Sequence, residues 1–215
     1  MVRVVGSIRQ FSGGLTGHVG ESRSCPYWIM GKLVYGMSVS LDGYVNGSDG
    51  TFGWSEPDEE VHRFVNELQR RVGTYLFGRR MFETMRVWED DAALASPPDY
   101  VLEYAPIWRA AEKVVFSTTM EEPAIPRTRV ERRLDLDAVR ALKESSSADL
   151  AVGGPTLAGD LLRAGLVDEL TLFLVPVVVG AGTRFLADQL TLDLSLVDER
   201  RFDSNTVFLR YAIRR

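Results

Sequence analysis

The sequence has little of several residue types, and each shortage excludes a class of protein. It contains one cysteine, Cys25, which excludes an internal disulfide and any metal site built on several cysteines. Its two histidines, His18 and His62, lie far apart in the chain, and neither has a partner at metal-ligand spacing, so we expect no metal site. A low cysteine content is also typical of a reducing compartment, and we expect a cytoplasmic protein.

An excess of basic residues and a long apolar run are also missing. Lys and Arg total 25 against 30 for Asp and Glu, so the formal net charge is -5 at pH 7. A broad electrostatic attraction to nucleic acid or to a membrane surface is therefore not expected, and a small molecule is the favoured partner. The longest apolar run, 170–180, is about half of the roughly 20 residues that a membrane-spanning helix needs. It contains Pro176 and predicts a buried strand.

The sequence does have the composition of one folded domain. Its 215 residues are 45% hydrophobic and 26% charged, which is typical of a globular protein. The beginning differs, because it is rich in Gly and Ser and has no apolar run long enough for a signal peptide. We interpret residues 1–31 as a disordered leader or as a non-native N-terminal extension, and favour the second, with Met30 as the true start. Residues 32–215 then form the domain.

Strand-like and helix-like segments alternate from Leu33 onward, which predicts an α/β sheet with helices on its faces. The last two predicted strands alternate in the manner of an antiparallel pair. The predicted strands are 33–39, 74–77, 113–117, 128–132, 149–152, 168–179, 192–201 and 206–213. The predicted helices are one that begins at 57–58 and is closed by Gly73, then 82–87, 100–111 with a kink or break at Pro106, 135–144 and 156–164.

Three predicted strands end in residues that suit a phosphate-bearing ligand. Segment 78–80 places two guanidiniums after a glycine, and 117–118 presents two hydroxyls. Segment 153–157 leads paired glycines into a helix whose first amides can hold a pyrophosphate. Each motif alone is more often a turn, a solvated arginine or a helix cap, but their order favours one pocket for a phosphorylated cofactor. The candidate cofactor-binding residues are Gly78, Arg79, Arg80, Ser117, Thr118, Gly153, Gly154, Pro155, Thr156 and Leu157.

In this order the motifs resemble the dihydrofolate reductase-like superfamily, and more closely the C-terminal reductase domain of the riboflavin-biosynthesis deaminase-reductase. The resemblance runs from about residue 32 to the end and implies a three-layer fold. Its central sheet would be mostly parallel, with an antiparallel C-terminal hairpin and helices on both faces. The segments that carry it are SLDG (40–43), GRR (78–80), VVFS (114–117), GGPTL (153–157), VDEL (167–170) and PVVVGAGT (176–183).

The resemblance also implies an NADPH-dependent oxidoreductase and a homodimer. NADPH would lie across the carboxyl edge of the sheet, with 78–79 at the adenosine phosphates, 117–118 near the 2′-phosphate and 153–157 around the pyrophosphate. The chain departs from the family pattern at Met81, where members commonly have a hydroxyl residue, and at Thr118, where many have a basic one. The choice between NADPH and NADH therefore stays open.

The substrate implied by the resemblance is 5-amino-6-(5-phosphoribosylamino)uracil, or another small heterocyclic or carbonyl compound that accepts hydride. The zinc deaminase motif of the bifunctional relatives is absent from this sequence. Two other functions stay open. One is a dihydrofolate reductase, and the other is a non-catalytic nucleotide-binding sensor module.

Two carboxylates are candidates for the proton donor that completes hydride transfer. Asp42 follows the first strand in the family-like LDG, although an Asp before Gly is more often a turn former. Glu60 lies four residues before Phe64, which is the spacing found around the carboxylate residue that binds the substrate in dihydrofolate reductases. Its plainer interpretation is a first-turn acid that complements the helix dipole.

Four further residues are candidates for the substrate. Trp54 lies in the loop before the first helix and could stack on a flat ring. Gly180, Gly182 and Thr183 belong to a glycine-rich turn after the long strand. We assign this turn to structure first, and to a substrate phosphate contact second.

Overall fold

The structure is a computed structural model, and it describes residues 31–215. The leader or extension predicted for 1–31 lies outside the described residues, apart from Gly31. Within 31–215, no helix is both long enough and apolar enough to cross a membrane.

Residues 31–215 form one sheet of eight strands. The strands are β1 Leu33–Ser40, β2 Val72–Gly78, β3 Glu112–Phe116, β4 Thr128–Glu131, β5 Asp149–Gly153, β6 Glu169–Val175, β7 Leu194–Arg201 and β8 Val207–Ile213. Six neighbouring strands are parallel, whereas β8 runs antiparallel to both β6 and β7. The order across the sheet is β4-β3-β2-β5-β1-β6-β8-β7, which confirms the mostly parallel sheet and its antiparallel C-terminal hairpin.

Helices cover both faces of the sheet, as predicted. The helices are α1 Glu59–Gln69, α2 Arg79–Met85, α3 Asp99–Leu102, α4 Tyr104–Ala110, α5 Leu136–Ser145 and α6 Pro155–Arg163. The apolar residues of β2 alternate between the two faces because successive side chains of a strand point in opposite directions. Leu76 packs with Leu161 of α6 on one face, whereas Phe77 packs with Phe82 of α2 and Trp108 of α4 on the other.

The first helix attaches to the C-terminal half of the sheet. Asp58 caps α1 by accepting a hydrogen bond from the Val61 N–H at 2.8 Å. Phe64 then packs edge-on against Phe208 and Phe173, with ring centroids 4.8 and 6.2 Å apart. This aromatic cluster fixes α1 over β6 and β8, to one side of the central strands.

The prediction that Gly73 closes the first helix is wrong. The helix ends at Gln69, and Gly73 lies inside β2. A Cβ on Gly73 would lie 2.7 Å from the Cβ of Ala148, so the missing side chain allows β2 to approach the segment before β5.

Three other elements differ from the predictions by more than two residues or by being divided. The helix after β2 begins at Arg79, three residues early, so both arginines of the GRR segment lie in its first turn. Strand β6 ends at Val175, because the next residue is Pro176, which has no N–H to donate to the ladder. Helix 100–111 is divided into α3 and α4 before Pro106, rather than kinked at it.

Candidate functional site

A cleft of about 1030 Å³ crosses the sheet on the face that carries α1 and α2. Its floor is formed by β5, β1 and β6, and its carboxyl end lies between the tips of β2 and β5. Ligands of open parallel sheets collect at this edge, and the volume is at the upper end of what small-molecule sites span.

Strand register lines up four floor residues across the sheet. Gly36 of β1 pairs with Thr171 of β6, which pairs with Arg210 of β8. On the other side, the pairing of Tyr35 with Val152 places Gly153 of β5 beside Gly36. Neighbouring strands lie about 4.8 Å apart, so the row from Gly153 to Arg210 is roughly 14 Å long. All four residues line the cleft.

The turn between β5 and α6 has the geometry of a pyrophosphate cradle. Gly154 has a φ of 97° and is the N-cap of α6, with no side chain to bond the first amides. Pro155 occupies the first helical position, so the N–H groups of Thr156 and Leu157 have no acceptor within the helix. A Cβ on Gly153 would lie 2.5 Å from the Phe77 ring, whereas Gly154 has room for one but holds a positive φ that other residues rarely adopt. These residues therefore fit the phosphates of a dinucleotide.

The tip of β2 faces the same cleft. A Cβ on Gly78 would meet no atom within 4 Å, so the space beside this residue is open. Arg79 donates to Glu83 at 2.7 Å and to the Thr119 hydroxyl at 3.1 Å. The Arg80 side chain has no hydrogen-bond or ion-pair partner within residues 31–215. The structure thus brings eight of the candidate cofactor residues into one cleft: Gly78, Arg79, Arg80, Gly153, Gly154, Pro155, Thr156 and Leu157.

Ser117 and Thr118 are placed beside the cleft rather than in its wall. The Ser117 hydroxyl accepts hydrogen bonds from the N–H groups of Thr119 and Met120 at 3.3 and 3.0 Å, which caps the turn after β3. The contact between Thr119 and Arg79 connects this turn to the β2 tip. The three strand tips therefore share one edge, with the β3 tip as its outer part.

Asp42 connects two loops and does not line the cleft. Its carboxylate accepts the Ser40 hydroxyl at 2.7 Å and the backbone N–H groups of Val179 and Gly180 at 3.2 and 2.7 Å. The hydrogen bond from Ser40, followed by those from the two amides, lowers its pKa below the usual aspartate value. A carboxylate held in its charged form is a poor proton donor, so these contacts favour the turn interpretation over the catalytic one.

Glu60 also points away from the cleft. It accepts the Asp203 N–H at 3.1 Å and the Arg200 guanidinium at 2.6 Å, which connects α1 to the β7–β8 hairpin. These two hydrogen bonds, the backbone one first, lower its pKa. The residues of α1 that do line the cleft are His62, Val65, Leu68 and Gln69.

Thr183 is the one substrate candidate that lines the cleft. Its N–H donates to Asn46 Oδ1 at 2.8 Å, and Asn46 lines the cleft as well. Gly182 has a φ of 141°, and a Cβ there would lie 1.9 Å from the Asn46 carbonyl oxygen. Gly182 and Gly180, with a φ of 79°, therefore shape the loop that carries Thr183. Trp54 lies in a 3-10 turn, and its neighbours Phe52 and Ser55 line the cleft in its place.

His62 is a cleft residue that sequence reasoning missed. It lies between Trp88 and Tyr100, with ring centroids 6.3 and 5.4 Å apart, and its Nδ1 is buried without a hydrogen-bond partner in residues 31–215. Burial lowers its pKa, so the imidazole is neutral at pH 7. The spacing of His62, Val65 and Gln69 along one helix face was the signal that could have found it.

The wall of the cleft is basic although the chain is acidic. Five basic side chains line it against two acidic ones, whereas the chain has a net charge of -5. Such a cleft concentrates anions. The charged lining residues are Lys32, Arg71, Arg79, Arg80, Arg210, Asp149 and Glu169.

Within residues 31–215, no cluster of three or more His, Cys, Asp or Glu residues is placed to hold a metal ion.

The sheet order and the position of the cleft define a dihydrofolate reductase-like α/β protein. Dihydrofolate reductase from Enterococcus faecalis, complexed with NADP(H), superposes with a TM-score of 0.54 at 14% identity, covering 87% of this chain and 99% of that one. A deaminase/5-amino-6-(5-phosphoribosylamino)uracil reductase from Thermotoga maritima superposes with a TM-score of 0.58 at 16% identity, covering 86% of this chain and 57% of that one. At these identities, the superpositions show the fold alone.

Sequence comparison identifies the family within this fold. Residues 31–208 match the RibD C-terminal domain family, so the chain belongs to it and the resemblance is confirmed. The protein YyaP of Bacillus subtilis (strain 168) is 29% identical over 184 residues, which cover 84% of this chain and 94% of YyaP.

Proposed function

We propose that the protein is an NADPH-dependent reductase that transfers hydride to a C=N or C=O group of a small heterocyclic or carbonyl substrate. One observation carries this proposal: a single cleft runs continuously from the β5–α6 turn, which suits phosphates, to the residues of α1. A dinucleotide and a second small molecule can then lie end to end in one cleft. Membership of the RibD C-terminal domain family supports a reductase.

The chain's own residues bind and orient both molecules. The free N–H groups at the start of α6 hold the pyrophosphate, and Arg79 and Arg80 hold the adenosine phosphates. When bound, the cofactor supplies the hydride. The wall from α1, with Val65 and Leu68, limits the access of water to the floor, so the protein contributes placement and shielding more than acid-base catalysis.

The geometry disfavours a dihydrofolate reductase. The spacing of Glu60 and Phe64 matches that around the substrate-binding carboxylate of dihydrofolate reductases, but the Glu60 side chain is bonded to Arg200 and Asp203 outside the cleft. The face of α1 that lines the cleft carries no carboxylate. We therefore propose 5-amino-6-(5-phosphoribosylamino)uracil, or a compound of similar size, ahead of dihydrofolate.

The test follows NADPH absorbance with the purified protein and three sets of substrates. These are 5-amino-6-(5-phosphoribosylamino)uracil, dihydrofolate, and a panel of small quinones and aldehydes. Oxidation with the first or third set supports the proposal, and oxidation with dihydrofolate alone favours the alternative. Tight binding of NADPH without turnover on any of them favours a nucleotide-binding sensor.

We also propose a homodimer. Leu196 and Val197 are about half exposed on β7, which is an edge strand of the sheet. An exposed apolar edge of this kind is a typical subunit contact. Sedimentation over a range of concentrations tests it, and a monomer at every concentration would contradict it.

A further inference from the structure

We propose that Arg210 forms a subsite for an anionic oxygen group of the substrate, a carboxylate or a phosphate. This inference rests on the proposed function, since it takes the cofactor to occupy the glycine-rich end of the cleft. Arg210 lines the cleft from β8, at the level of Thr171 and Gly36. It therefore lies at the opposite end of the floor row from Gly153.

Only some of the hydrogen-bond donors of the Arg210 guanidinium are taken up by other groups of the protein. Its Nη2 donates to Asp198 Oδ2 at 3.1 Å, and its Nε is buried without a hydrogen-bond partner in residues 31–215. A guanidinium carries five N–H donors and no acceptor. The Nε is enclosed, but the Arg210 side chain as a whole is 25% exposed, so its unused Nη donors are the ones that oxygen atoms of a ligand or of water can reach.

No carboxylate of the cleft wall is left to compete with a ligand for Arg210. Asp149 and Glu169 are the two acidic residues of the cleft wall. The Arg71 guanidinium lies 3.4 Å from Asp149, and Lys32 forms an ion pair with Glu169. Asp198 belongs to the edge strand β7 and does not line the cleft.

The charges of the cleft favour an anion over a neutral group at this position. Lys32 and Arg71 are balanced by the two wall carboxylates, and Arg79 and Arg80 are assigned to cofactor phosphates. Arg210 is the remaining basic residue of the wall, and its one ion-pair partner within residues 31–215, Asp198, lies outside the cleft. Carboxylate and phosphate oxygens form the strongest hydrogen bonds with such a group, because both partners are ionised.

The experiment measures calorimetric binding of two matched pairs of probes to the full-length protein saturated with NADPH. The pairs are orotate with uracil, and ribose 5-phosphate with ribose. The wild type is expected to bind the charged member of at least one pair about tenfold or more tightly than the neutral member. The pair that shows this preference identifies a carboxylate or a phosphate as the recognised group.

Two substitutions assign that preference to Arg210. Arg210→Met keeps the apolar stem and should bring the charged-to-neutral ratio close to one, with NADPH affinity unchanged. Asp198→Asn keeps the guanidinium and removes its carboxylate partner, so the preference should persist or increase. A thermal melt of each variant checks that it is folded.

Two results would overturn the proposal. One is a wild-type ratio near one for both pairs, or no binding of either charged probe. The other is an unchanged ratio in Arg210→Met, which would make Arg210 only the ion-pair partner of Asp198. If the wild type does not bind NADPH, the proposed function itself fails, whereas intact NADPH binding with a ratio near one removes the subsite alone.

Discussion

The two halves of the cleft, which the proposed function assigns to the cofactor and to the substrate, are built in different ways. The cofactor half takes its residues from two continuous segments at strand tips, 78–81 and 153–157, and offers backbone N–H groups and space. The substrate half takes single side chains from separate elements, namely Ser38 of β1, His62 of α1 and Arg210 of β8. The cofactor half should therefore be most sensitive to added volume, and the substrate half to a change of charge.

The largest effect is expected from added volume in the cofactor half. In Gly153→Val, the new Cβ would lie 2.5 Å from the Phe77 ring and 3.0 Å from the Met81 side chain. Overpacking of this kind typically costs about 1–3 kcal/mol, so both the melting temperature and NADPH affinity should fall. Gly53→Ala is the control, because a Cβ there would meet no atom within 4 Å and Gly53 does not line the cleft. A Gly153→Val protein that melts and binds NADPH like the wild type would show that this half of the cleft tolerates added volume.

The second effect concerns charge within the cofactor half. Arg80 lines the cleft, and its side chain has no partner within residues 31–215, so it is free to bind the additional phosphate of NADPH. Arg80→Gln should weaken NADPH about tenfold and leave NADH nearly unchanged. Arg79→Gln should lose less, because Arg79 is already bonded to Glu83. Fluorescence titration with both nucleotides measures this, and equal losses for NADPH and NADH would show that neither arginine reads the phosphate.

A third effect concerns Asp42, which belongs to neither half. If Asp42 only connects the loops after β1 and β6, Asp42→Asn should lower the melting temperature by a few degrees while turnover is retained. Its lowered pKa adds a pH effect: the stabilisation is complete above the usual aspartate pKa and is lost as the pH falls through the lowered value. Turnover at several pH values decides, since loss of activity in a stable variant would make Asp42 the proton donor.

The smallest effect is expected at His62 in the substrate half. Burial lowers its pKa, so the unfolded chain binds the proton more tightly than the folded one. The contribution of the buried, neutral His62 to stability is then complete above the ordinary histidine pKa of about 6.5. It declines as the pH falls from there toward the lowered value. In His62→Gln, the melting temperature should vary less between about pH 7.5 and pH 5. The other histidine, His18, is present in both proteins. Identical pH profiles would contradict the prediction.

Most of the fold could be predicted because local signals and sheet geometry agree. Alternating apolar residues located β7 and β8, and the helical spacing of apolar residues located α1. The errors fall where a distant contact decides. Gly73 resembles a helix terminator in sequence, and only its approach to Ala148 explains why it belongs to a strand.

The site could be predicted only where it is continuous in sequence. Segment 153–157 combines a strand end, two glycines and a helix start, and each part is visible locally. Arg210 is a single charged residue in an apolar strand, and its place beside Thr171 depends on the register between β6 and β8. Glu60 shows the opposite error, because helical spacing alone does not say which neighbour a side chain reaches.

The order of the strands has a consequence for how the chain acquires its structure during synthesis. Strand β1 leaves the ribosome first, yet both of its neighbours, β5 and β6, are encoded more than half of the chain later. A nascent chain that ends before residue 149 therefore holds its central strand with both edges unpaired. We therefore expect the sheet to form late, through long-range pairing, and expect the unfinished chain to need protection from aggregation while it is being translated.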